Sequence, residues 1–69
     1  MKAYLELSKE IYKYENVLDA VVAFSDYTYI NVKDAPDYYC LEFLDAKYDL
    51  NLTMLEFENY LIDRSNDME

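Results

Sequence analysis

A chain of 69 residues, 54% of them apolar, has room for one layer of core and little else; a domain of this size buries only about 60% of its unfolded surface. Fifteen acids against six bases leave a net charge of −9, which repels nucleic-acid phosphates and anionic membrane surfaces and attracts basic partners. With no His, no Gly and one Cys, the commonest general base, the phosphate-cradling loops and the Cys/His metal sites are missing, so neither enzyme activity nor a cofactor is expected.

The chain opens on "AYLEL", residues 3 to 7, where Leu5 and Leu7 alternate with Tyr4 and Glu6, the pattern of a half-buried strand. In "YENVLDAVVAFSD" the spacing of Tyr14, Val17, Leu18, Val21 and Phe24 predicts a helix, with Glu15, Asn16, Asp19 and Asp26 toward solvent. "YTYINVK", residues 27 to 33, returns to alternation: Thr28, Ile30 and Val32 in one row, Tyr27, Tyr29 and Asn31 in the other. "DAPD" breaks the run, and "YYCLEFL" follows as a third strand with Tyr39, Leu41 and Phe43 opposite Tyr38, Cys40 and Glu42. After the link "DAKYDLNL", Thr53 and Glu56 match a capping box, and Leu52 and Phe57 a hydrophobic staple, at the start of a last helix.

These elements predict a single α+β domain over residues 1–64, in the order β-α-β-β-α, followed by a frayed tail at 65–69. Both helices should cover one face of a three-stranded antiparallel sheet of order 1-3-2, a ferredoxin-like unit without its final strand. A parallel pairing of the first two strands is the alternative. The N-terminus carries no apolar run suited to a signal peptide, and no stretch approaches the roughly 18 apolar residues of a membrane span. A cytoplasmic location is therefore expected, with Cys40 unable to form an internal disulfide.

Two surfaces stand out as sites for a partner. The outward rows place Tyr4, Tyr27, Tyr29 and Tyr38, with Glu6 and Cys40, on an open sheet face; in a chain this acidic, which lacks the basic residues base-stacking readers need, that face suits a peptide or a second subunit better than stacked bases. On the last helix Met54, Phe57 and Leu61 form the core stripe, Leu55 and Ile62 a ledge beside it, and Glu58 the border between them. Leu55 and Ile62 either meet a partner or tuck under the 45–52 link. Asp45, Asp49 and Asn51 lack the spacing and the Gly of a metal loop and read as a solvated link.

The stretch "LELSKEIYKYENVLDAVVAFSDYTYINV" followed by "EFENYLID" resembles the small HxsD-like (His-Xaa-Ser system protein D-like) proteins over nearly the whole chain. Ile62 stands where the family's usual pattern has a second Leu. The resemblance implies a non-catalytic accessory of a radical SAM enzyme that modifies a ribosomally made precursor peptide. Its partners would be the precursor, the maturase or both, with any iron–sulfur cluster on the enzyme. A homodimer through the first strand's edge or the open face is a further expectation. The alternative from composition is an acidic inhibitor, an antitoxin or nucleic-acid mimic occupying a basic cleft.

Overall fold

Three alternating segments and two helical periodicities assemble in the expected order. In the computed structural model, which describes residues 2–66, the chain forms strand β1 (Lys2–Ser8), helix α1 (Tyr14–Ala23), strands β2 (Tyr29–Asp34) and β3 (Tyr38–Leu44), and helix α2 (Leu50–Asn66). The short turn between β2 and β3 closes a hairpin, with the Ala35 N–H donating to the Tyr38 carbonyl at 2.9 Å. The crossover through α1 then sets β1 against the other side of β3. The sheet order is β1-β3-β2 and both pairings are antiparallel, so the parallel alternative is excluded.

Leu5, Leu41 and Val32 share one row across the three strands. Leu7, Ile30, Tyr39, Leu41 and Phe43 on that face meet Val17 and Ala20 of α1 and Phe57 and Leu61 of α2 in one buried cluster. Phe57 joins the layers, edge-on to Phe43 at 5.2 Å and to Phe24 at 5.4 Å, a favoured geometry for aromatic pairs. Both helices therefore lie on the same face.

α1 is rotated from the expected face. Ala20 is fully buried and Asn16, expected toward solvent, is buried too, whereas Tyr14 and Leu18 are exposed. A small side chain at the point of closest approach lets the helix sit close to its neighbours, and the larger residues are left on the rim. Tyr14 still lays its ring 5.5 Å from that of Tyr39.

α2 starts earlier than the capping-box pattern indicates. Asp49, not Thr53, is the cap: its carboxylate accepts the Leu52 N–H at 2.9 Å. Thr53 lies buried inside the helix, its hydroxyl donating to the Asp49 carbonyl at 2.8 Å. Leu52 is exposed, so the staple onto Phe57 does not form. The earlier cap wins because the added residues extend the hydrogen-bond ladder and bring Leu50 against the core. At the other end α2 runs through Ser65 and Asn66, two residues into the expected tail at 65–69; residues 67–69 lie outside the described residues.

Between β3 and α2 the backbone reverses through Asp45 at φ 52°. In a chain without Gly, Asp tolerates this left-handed conformation because its short polar side chain can bond locally.

Candidate interaction surfaces

On the face away from the helices, Glu42 occupies the middle of the central strand, with Tyr4 opposite it on β1 and Asn31 on β2. The Tyr4 hydroxyl donates to Oε2 at 3.2 Å, the Asn31 amide to Oε1 at 3.3 Å, and Lys2 Nζ lies 3.6 Å from Oε2. These neighbours cover Glu42 until it is only 8% exposed. Its pKa is nonetheless held below the ordinary carboxylate value, chiefly by the Asn31 hydrogen bond; Tyr4, Lys2 and Lys33 act in the same sense, and partial desolvation opposes them. Leu41 and Glu42 are thus both buried and still face opposite ways.

The expected tyrosine patch does not form as one cluster. Tyr4, Tyr29 and Tyr38 are exposed. Tyr29 stands beside Leu44 and Tyr38 beside Ser8, at opposite ends of the face and roughly 20 Å apart at strand rise. Glu6 is exposed next to Cys40. Tyr27 is not on this face. Its N–H donates to the Phe24 carbonyl in a turn that precedes β2, and its ring packs on Phe24 and Tyr48. The alternation that put Tyr27 outward does not extend back past Tyr29, where the strand begins.

A second surface is the free edge of β1. The Lys9 N–H donates to the Asp37 carbonyl at 3.1 Å, which fixes the alternation of the ladder. Ala3, Leu5 and Leu7 therefore exchange hydrogen bonds with β3, while Tyr4 and Glu6 turn their backbone N–H and C=O outward. α2 lies on the β1 side of the sheet. Tyr60 and Phe57 meet Phe24, and Arg64 pairs with Asp19, so these three side chains mark the flank of α2 that faces α1. At about 100° per residue, Leu61 follows toward the sheet, and Glu58, Ile62 and Leu55 come next, on the flank turned away from α1. Leu55 and Ile62 are exposed rather than tucked under the link, and Glu58 is half-buried with no ion pair among the described residues.

Sequence reasoning missed the covering of Glu42, whose only signal was an acid centred in a strand of apolar neighbours. It also missed a groove near Phe24, Tyr48 and Glu56, because the misassigned cap concealed where Leu52 points. Among the described residues no helix is long and apolar enough to cross a membrane, and no group of three His, Cys, Asp or Glu side chains could hold a metal ion. No protein-family model, curated protein or solved structure matches the chain.

Proposed function

We propose that this chain is a non-catalytic recognition accessory that holds a ribosomally made precursor peptide for a radical SAM maturase, the role implied by its HxsD-like resemblance. The observation that carries the reading is the unpaired edge of β1, with α2 on the β1 side of the sheet and Leu55 and Ile62 exposed on it. A guest strand there gains backbone hydrogen bonds from Tyr4 and Glu6, and its inward side chains meet the ledge. It takes the place a fourth strand would occupy in a ferredoxin-like sheet. The net charge of −9 disfavours a second copy of this chain as the guest.

The acidic-inhibitor reading needs carboxylates free to mimic phosphates. It also needs them arrayed on one face, whereas the acids are spread over both helices and the links, which weakens it.

The first test is genomic: a radical SAM enzyme and a short peptide should be encoded beside this chain. The second is an NMR titration of the labelled protein with that peptide. The amides of Tyr4 and Glu6 should shift and become protected from exchange. Glu6→Pro, which removes an outward donor and leaves the β1–β3 ladder intact, should abolish binding. Full affinity in that folded variant would sink the reading.

A further inference from the structure

Where α1 ends and α2 begins, a groove of about 340 Å³ is lined by Phe24, Tyr27, Tyr48, Leu52, Thr53 and Glu56. Its walls come from separate segments that the backbone ties together. The Tyr27 N–H donates to the Phe24 carbonyl at 2.9 Å, and the Lys47 N–H donates to the Tyr27 carbonyl at 2.8 Å. Asp49 caps the helix that carries Leu52. The groove is thus formed before any partner arrives, which lowers the ordering cost of filling it.

Its chemistry is narrow. The Phe24 and Tyr27 rings meet edge to face at 5.9 Å, and Tyr48 lies tilted against Tyr27 at 6.2 Å. Tyr48 is 68% exposed and Leu52 51%, so apolar surface lies open to water. The Thr53 hydroxyl already donates to the Asp49 carbonyl. Glu56, exposed, is then the one ionised group of the lining, and no Lys or Arg pairs with it among the described residues. The chain's Lys2, Lys9 and Arg64 are engaged elsewhere, at Glu42, Asp34 and Asp19.

Apolar walls alone would take a leucine or a phenylalanine. Aromatic faces beside an unpaired carboxylate favour a cation, since ring quadrupole and charge attract it together. Arginine fits both features: its stem lies along Leu52, and its planar guanidinium stacks on a tyrosine while forking toward Glu56. The net charge of −9 steers a basic segment toward the protein. We infer that this groove is a docking site for an arginine side chain of a partner polypeptide. It lies on the α1 side of α2, opposite the Leu55–Ile62 ledge, and does not rest on strand addition at β1.

The test is an NMR titration of the labelled protein with acetyl-Gly-Arg-Gly-amide and with the same peptide carrying norleucine for arginine. The arginine peptide should shift the amides of Tyr27, Tyr48 and Glu56 saturably, and the norleucine peptide should bind at least about 5-fold more weakly. Glu56→Gln and Tyr48→Ala should each weaken the arginine peptide about 3-fold, with spectra otherwise unchanged. Glu10→Gln, exposed in the turn after β1 at the other end of the sheet, should leave binding as it is. Three results would overturn the assignment: equal binding of the norleucine peptide, equal loss in Glu56→Gln and Glu10→Gln, or no saturable shift in the groove.

Discussion

Leu41 and Glu42 are neighbours on the central strand, both nearly hidden from solvent and hidden by different means. Leu41 is fully buried where the sheet meets the helices, within the apolar cluster. Glu42 faces the other way and is covered by the side chains that bond it, Tyr4, Asn31 and Lys2. Burial on one strand thus has two physical sources: exclusion of water by shape, and replacement of water by hydrogen-bond partners. The first should carry stability at every pH and the second should depend on charge.

The largest effect should come from the packed side. Leu41→Ala is expected to cost on the order of 2–5 kcal/mol, a large share of the stability of so small a domain. Urea unfolding should show a strongly lowered midpoint or no folded baseline. A variant that unfolds alongside the parent would show that the core is not centred on β3.

On the open face the effect should be smaller and pH-dependent. Glu42 has a folded-state pKa below its ordinary value, so its contribution is present above the unfolded-state value and is lost as pH falls through the folded one. Glu42→Gln should therefore lower stability at neutral pH, and the gap to the parent should close in acid. A gap that stays constant with pH would mean that the charge plays no part. A finer version separates the partners. Asn31→Ala should raise the Glu42 pKa more than Tyr4→Phe does, because the Asn31 hydrogen bond is the larger cause. Carboxyl chemical shifts followed through the titration would read this directly, and the reverse order would break the ranking.

This contrast explains what could be read from the sequence. Alternation in three segments and a turn at "DAPD" gave the strands and the inward rows, because a strand's period of two leaves little freedom once one face is buried; it left a parallel pairing of the first two strands open, which the observed order β1-β3-β2 excludes. Helix faces were less legible. Leu18 outweighed Ala20 on hydrophobicity, yet closest approach selects the smaller side chain, and Ala20 is the buried one. Thr53 and Glu56 fit a capping box by type, but Asp49 offers a cap four residues earlier. The cover over Glu42 and the aromatic groove escaped because each joins side chains distant in sequence: Tyr4 with Asn31 and Glu42, and Phe24 with Tyr48 and Glu56. Register and tertiary approach create those neighbours, and no local pattern records them.

Glu58 extends the comparison to an acid without such partners. Like Glu42 it borders apolar surface, but among the described residues nothing pairs with it, and it stands on the flank of α2 turned away from α1. A half-buried carboxylate avoids the desolvation that full burial would impose. Beside an incoming strand it is placed to meet a basic side chain, which would fix orientation and speed association more than it would add affinity. Glu58→Lys should accordingly change stability by no more than about ±0.5 kcal/mol, the usual range for surface substitutions, the smallest effect of the series. The same change should slow or weaken capture of the precursor peptide, and Ile62→Asp should do so through the ledge itself. A melting curve beside a binding titration separates the two properties. If Glu58→Lys unfolds the domain, or binding survives both substitutions, the ledge is ordinary packing and Glu58 differs from Glu42 only in its exposure.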